Sequence, residues 1–295
     1  MKITILFSRQ VLLAAFILIC FQFEIYSQEA DSLRINKPGL YVGLSFGPSQ
    51  TQITNEGLFS GAELQSDKQS SFTGSAEVGY YFSKYIGLSS GIGYSSYKTD
   101  LKLNAYQSNF STTDSENESY ERRVTGSDIK ETQDISFVSV PVCLNIRLPF
   151  SKTFGFFLQT GVDLAMPINK KYTSSGTFTY KGYYQAYNVL LENLPAYRFP
   201  SNHSSAANGE LEIKSLNVNA IASAGFDFFV QRNIQIAVAA SYCKSLSNIS
   251  GYASPTTFQL SSDVDQINSL MGGSNKVSLE SMGVKISLRY YFKVR

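Results

Sequence analysis

Few side chains in this chain are of the types that do chemistry. There is one histidine, His203, set among Ser and Asn, and no neighbour in the sequence is placed to orient it as a catalytic base requires. No His/Cys cluster has the spacing of a zinc site. The carboxylates from Asp114 to Glu121 are too scattered for calcium, and Asp263 and Asp265 lack the glycine and closing glutamate of an EF-hand loop. No P-loop or dinucleotide fingerprint occurs. Neither enzymatic chemistry nor a resident cofactor is expected. Two constellations remain. Glu77, Arg147, Asp163, Asp227, Lys285 and Arg289 are three acids and three bases isolated within otherwise neutral segments. Their chemistry is ion pairing in a confined space, where an unpaired charge is costly. Tyr180, Tyr183, Tyr184, Tyr187, Tyr197 and Phe199 crowd one segment with Val189, Leu190, Leu191 and Leu194. Tyrosine gives amphipathic contact area at low entropic cost, so this segment reads either as a local cap or as a partner-contact loop.

The elements that must position these residues are strands. From Pro38 onward the hydrophobic period is 2, the mark of strands with one apolar face. In the last segment Met282, Val284, Ile286, Leu288, Tyr290 and Phe292 share one face, and Gly283, Lys285, Ser287, Arg289 and Tyr291 share the other. Seven earlier segments repeat the pattern: 40–47, 75–82, 86–94, 138–148, 154–164, 218–228 and 234–243. Their connections sort by length. Ser83 to Tyr85, Pro149 to Thr153 and Val230 to Asn233 are tight, whereas Pro48 to Ser71, Thr99 to Gln133, Tyr172 to Lys214 and Lys244 to Lys276 are long and polar. Short turns on one side and long loops on the other define an outer-membrane barrel. The fold class expected is all-β: an eight-stranded antiparallel up-and-down transmembrane β-barrel with short periplasmic turns and long extracellular loops. Tyr80, Phe82, Tyr85, Phe150, Phe154, Phe226, Phe228, Tyr290 and Phe292 form one interfacial girdle, and Tyr94 and Tyr242 belong to the other. A soluble β-sandwich would also alternate, but its loops would not divide so cleanly.

Composition supports this reading. The 295 residues hold 25 Lys+Arg and 23 Asp+Glu, and charged residues are 16% of the chain, below the roughly 25% usual in soluble domains. A net charge of +2 gives no footprint for nucleic acid. Residues 1–27 read as a signal peptide, with Lys2 and Arg9 before the short apolar run Val11 to Phe21 and Ser27 at the cleavage point. Leu18 and Ile19 before Cys20 are too bulky for a lipidation site. Residues 28–37 read as a periplasmic leader, and 38–295 as the barrel. Cys143 and Cys243 fall on non-neighbouring strands at different heights, so they are expected to be free.

The runs Glu77-Val78-Gly79-Tyr80-Tyr81-Phe82, Ile86-Gly87-Leu88 and Gly91-Ile92-Gly93-Tyr94 resemble the second hairpin of the Bacteroidetes outer-membrane β-barrel family that includes the PorT-like proteins. Val138-Ser139-Val140-Pro141-Val142 is similar to its extended segment with an inward proline, and Gly283 to Phe292 to its closing strand. The departure is at the end, where Lys293, Val294 and Arg295 follow Phe292. The resemblance implies the fold, the outer membrane of a Gram-negative cell and, because some members serve the type IX secretion and gliding machinery, a secretion-machinery partner as one role.

By parity the six charges face the lumen. An eight-stranded interior is about wide enough for side chains to fill, so a lower network that plugs the lumen is expected, with a narrow hydrated channel as the alternative. The functional expectation is a non-enzymatic integral outer-membrane protein with outer-membrane lipid around it and surface loops for structural or interaction roles. A conduit for small, partly apolar solutes and an accessory part of a secretion system are the other readings. The segment Ser111 to Glu131, rich in Ser, Thr, Asn and Glu, is expected to be a mobile, solvated loop.

Overall fold

The computed structural model describes residues 39–56, 64–252, 264 and 267–292. The signal-peptide and leader readings, residues 1–37, lie outside the described residues, as do Asp263 and Asp265. Eight long strands make the ring: β1 (Gly39–Glu56), β3 (Gln69–Tyr81), β4 (Ile86–Thr113), β5 (Ser119–Pro149), β6 (Phe154–Tyr184), β9 (Asn217–Gln231), β10 (Ile234–Ser245) and β11 (Lys276–Tyr291). Three short strands, β2 (Leu64–Asp67), β7 (Val189–Glu192) and β8 (His203–Glu210), widen its upper part by pairing with β4, β6 and β6. Every neighbouring pair is antiparallel, and β1 pairs both β3 and β11, which closes the sheet on itself. Closure leaves the ring no free edge, the condition for strands to cross lipid.

One rule of side-chain direction holds through the ring, but its polarity reverses with height. In the lower band Leu44, Phe46, Val78, Ile92, Val142, Val284 and Leu288 point outward and are 47–65% exposed, while their neighbours Ser45, Glu77, Ser89, Asn145 and Ser287 face inward and are buried. Above it Tyr97, Leu101 and Leu103 fill the inside, while Lys98, Asp100 and Lys102 alternate with them on the outside. The chemistry of the outer surface changes from lipid to water, so the inward face above the membrane becomes the apolar one.

That reversal explains where the expected loops give way to strands. β4, β5 and β6 run 28, 31 and 31 residues, far beyond the roughly ten that cross a bilayer. The segment Ser111 to Glu131 is not a mobile, solvated loop: all of it but the turn around Asp114 to Glu118 is strand, and Glu131 is buried. Polar residues there face water from paired strands rather than from loops. His203 likewise opens β8, opposite Phe178, instead of lying in a loop. A bulge between Ser127 and Lys130, with Asp128 at φ 52°, shifts the inward parity of β5 from Ile129 and Glu131 below it to Arg122, Val124 and Gly126 above it.

Two apolar cores follow. Ile53, Tyr97, Ile135, Phe137, Met271 and Leu279 pack just above the membrane band. Leu103, Tyr120, Ile129, Phe178, Tyr180 and Phe199 pack in the extension above that.

Candidate functional site

All six sequence-predicted charges project into the lumen, and register decides which of them meet. On β1, Gly43 lies opposite Glu77 of β3 on one side and Arg289 of β11 on the other. Glycine leaves the space above its backbone empty: a Cβ there would stand 3.0 Å from Arg289 Cγ and 3.2 Å from Glu77 Cγ. The two side chains therefore reach over β1, and Arg289 Nε donates to Glu77 Oε1 at 2.8 Å. The second pair repeats the device on the opposite wall. Gly155 of β6 lies opposite Asp227 of β9, and Arg147 of β5 reaches over it. Arg147 Nε and Nη2 donate to the two carboxylate oxygens of Asp227 at 2.8 and 2.6 Å, a bidentate fork. Both pairs are buried.

Aromatic rings complete this layer. The Arg289 guanidinium lies between Tyr41 and Phe157, each ring centre 5.2 Å away, and neither Nη atom has a hydrogen-bond partner among the described residues. Arg147 stacks on Phe229 at 5.1 Å. The rings of Tyr41, Tyr81 and Tyr291 lie 5.3 to 6.4 Å apart across the periplasmic end. Lys285 and Asp163 do not pair with each other. Lys285 donates to Gln159 Oε1 at 2.7 Å, and Gln159 in turn donates to Glu77 Oε2 at 3.2 Å. Asp163 lies opposite Pro141 of β5 and Asn219 of β9 and faces the chamber above the pairs. This chamber, of about 130 Å³, is lined by serines and by Cys143 and Cys243, both free thiols.

The chamber's upper wall is the apolar core, and a loop segment enters that core from above. Residues 267–274 contain a short 3₁₀ helix (Leu270–Gly273) in which Leu270 and Met271 are fully buried. Glu131, absent from the sequence-based candidates, anchors it. Its carboxylate accepts from Gln133 Nε2 at 2.6 Å, the Ser174 hydroxyl at 2.6 Å, the Ser269 hydroxyl at 2.8 Å and the Leu270 N–H at 2.7 Å. Burial pushes this carboxyl above the ordinary range despite the four donors. Counting back in twos from Arg147 along β5 reaches Gln133 and then Glu131, so parity carried the signal.

The six aromatic residues of the predicted contact segment divide. Tyr180 and Phe199 are buried in the upper core. Tyr183 stacks with Arg123 at 4.5 Å and donates to Asn188 Oδ1 at 2.8 Å. Tyr184 lies parallel to Tyr120, centroids 5.1 Å apart, and donates to Asp114 Oδ2 at 2.9 Å. Tyr187 and Tyr197 are 60% and 69% exposed, and Tyr187 donates to Glu118 Oε1 at 2.6 Å. These bonds tie the β4–β5 tip to the β6–β7 hairpin. Backbone donation from Glu118 holds the Asp114 carboxyl low, and burial together with Asp114 pushes the Tyr184 hydroxyl up to about 12. Between the two hairpins opens a cleft of about 870 Å³.

A closed ring with an apolar belt, a polar lumen and long extensions at one end defines an outer-membrane β-barrel. The chain belongs to the outer membrane protein beta-barrel domain family, which matches residues 26–251. Among solved structures it is similar to the outer membrane protein OprG from Pseudomonas aeruginosa, at 12% identity over 87% of this chain and 97% of that one, TM-score 0.38. It is similar to Neisserial surface protein A at 9% identity, over 87% and 99%, TM-score 0.34. It is also similar to Ail, the attachment invasion locus protein of Yersinia pestis, at 12% identity, over 85% and 99%, TM-score 0.30. No curated protein matches the chain.

Proposed function

We propose that this is an exported, non-enzymatic outer-membrane barrel of the PorT-like Bacteroidetes type, whose lumen is occluded and whose extracellular extension is a contact surface. The observation that supports the reading is buried side-chain packing inside the ring at two heights. Below, the paired Arg147–Asp227 and Arg289–Glu77 side chains and their rings fill the periplasmic end. Above, Leu270 and Met271 sit in the apolar core, held by Glu131. A protein that spends 31-residue strands on an extension above a blocked pore acts outside the membrane, through its tip.

Purified protein in liposomes tests the occlusion. No swelling in isosmotic glycine or arabinose is expected, and swelling at porin-like rates contradicts the reading. Cell adhesion tests the contact role. Cells displaying the protein bind a target surface, and replacing 185–199 with a short Gly/Ser linker abolishes binding while leaving the barrel folded; unchanged binding removes the tip from the function. A carrier for a small solute is the second reading, favoured by the chamber below the apolar core; swelling confined to one solute class would select it. A secretion-accessory role is tested by cargo release in a deletion strain.

A further inference from the structure

We infer that the cleft at the tip of the extension is a saccharide site, with Arg122 at its floor and Tyr187 and Tyr197 as its stacking walls. The inference rests on the contact-surface reading and names the ligand class of that surface.

The floor is the first observation. Arg122 is 2% exposed, yet no carboxylate pairs with it among the described residues. Its guanidinium lies between the rings of Tyr180 and Phe199, at 5.0 and 5.9 Å. Its remaining contacts are at the limit of hydrogen bonding: 3.4 Å to the Tyr120 hydroxyl and 3.5 Å to the Arg198 carbonyl, with Nε unpartnered. A buried cation is retained at a cost unless something supplies acceptors. The aromatic sandwich fixes the plane of the fork, so it is preorganised for an acceptor arriving from the cleft.

The walls are the second. Tyr187 and Tyr197 present exposed ring faces, and apolar Val189 and Leu191 lie beside them. Asp114, Glu116 and Glu118 supply carboxylates to the lining, together with the guanidinium groups of Arg122 and Arg198. Acids and bases nearly balance, so the cleft selects neither a strong anion nor a strong cation. It suits a neutral or weakly charged ligand with apolar faces for the rings and many hydroxyls that both donate and accept. A pyranose has that chemistry. The volume, about 870 Å³, falls within the roughly 300–1,000 Å³ of small-molecule sites. The bonds Tyr184–Asp114 and Tyr187–Glu118 hold the two hairpins apart at a fixed spacing, so the cleft exists before the ligand arrives.

The test uses the full chain in lipid nanodiscs, because sugar-headed detergents would compete. Saturation-transfer NMR is run with maltose, cellobiose, diacetylchitobiose and a glucuronate-containing disaccharide. Transfer to the ring protons of at least one is expected, and Tyr187→Ala with Tyr197→Ala should weaken it at least tenfold. Both residues are exposed, so the barrel stays folded, checked by heat-modifiable gel mobility. Arg122→Met should also weaken binding. A uronate preference lost in Arg122→Met assigns the fork to a carboxylate, and equal binding of neutral sugars assigns it to hydroxyls; both support the site. Absence of transfer to all four, or transfer unchanged in the double tyrosine variant, overturns it. If cells still adhere to a protein surface stripped of glycans, and the double variant abolishes that adhesion, the saccharide class fails while the contact role stands. Absence of both kinds of binding in the unmodified protein overturns both.

Discussion

The carboxylate of Glu131 accepts the backbone N–H of Leu270 at 2.7 Å, joining the wall of the barrel to a loop 139 residues further on. The bond sits at the start of the 3₁₀ helix, where N–H groups lack partners within the helix. Ser269 strengthens it: its hydroxyl donates to Glu131 and accepts from the Met271 N–H at 3.1 Å. One buried acid thus holds the segment that seats Leu270 and Met271 in the apolar cores.

Removing that acid should free the cap without opening the ring. Glu131→Ala leaves the Leu270 N–H and the Gln133 amide without their acceptor, at a cost of about 3 kcal/mol for bonds to a buried charged group. Hydrogen exchange of residues 267–274 should accelerate by at least tenfold while the β1–β11 ladder keeps its protection. Uniform acceleration throughout the barrel would show that Glu131 supports the whole fold instead.

The same carboxyl gives the cap a pH dependence of defined sign. Burial raises its pKa, so over the interval between the ordinary carboxylate range and the raised value the folded state keeps a proton that the open state releases. Cap stability then falls as pH rises through that interval and is greater on its acid side. Exchange of the Leu270 and Met271 amides, corrected for intrinsic rates, should show this slope, and Glu131→Gln should flatten it. An identical slope in the variant would assign the titration to another group.

Arg147 and Asp227 form a fully enclosed bidentate pair, so their single and double replacements should differ. Asp227→Ala strands a buried guanidinium and should destabilise the barrel by about 3–5 kcal/mol, whereas Arg147→Met with Asp227→Leu should recover most of the loss. Urea unfolding in lipid vesicles reads both. Equal losses in the single and double variants would mean that packing, rather than charge, governs the site.

Gly43 offers an independent check on the other pair. A valine side chain at this position would fill the space through which Arg289 meets Glu77. Gly43→Val should lower the urea midpoint clearly, and the smaller Gly43→Ala should lower it less. Midpoints equal to that of the unmodified protein would contradict the over-strand geometry.

Strand parity made the lumen legible from the sequence. Counting in twos places Glu77, Arg147, Asp227 and Arg289 inside, because the membrane band keeps an unbroken apolar outer face. Their pairings were not legible: which acid meets which base depends on the stagger at which β1 closes on β11, and on the two glycines that let side chains cross a strand. The extension reads as loop in the sequence for a physical reason. Outside the membrane the outer face of β4 carries Lys98, Asp100 and Lys102, so the apolar stripe that marks a strand moves to the inside. Arg122 is hidden by this change and by the parity shift at Asp128, whereas Glu131 keeps the parity of Arg147 and is hidden only by the change of outer face. The tyrosine-rich segment stood out by composition alone, but its division into buried Tyr180 and Phe199 and exposed Tyr187 and Tyr197 follows from the β6–β7 hairpin.

Ion conductance tests the occluded lumen most directly. In planar bilayers bathed in concentrated KCl, the unmodified protein should show no steady single-channel steps, and combining Glu131→Ala with Asp227→Ala should produce intermittent ones as both obstructions loosen. Regular open-channel steps from the unmodified protein would contradict the account.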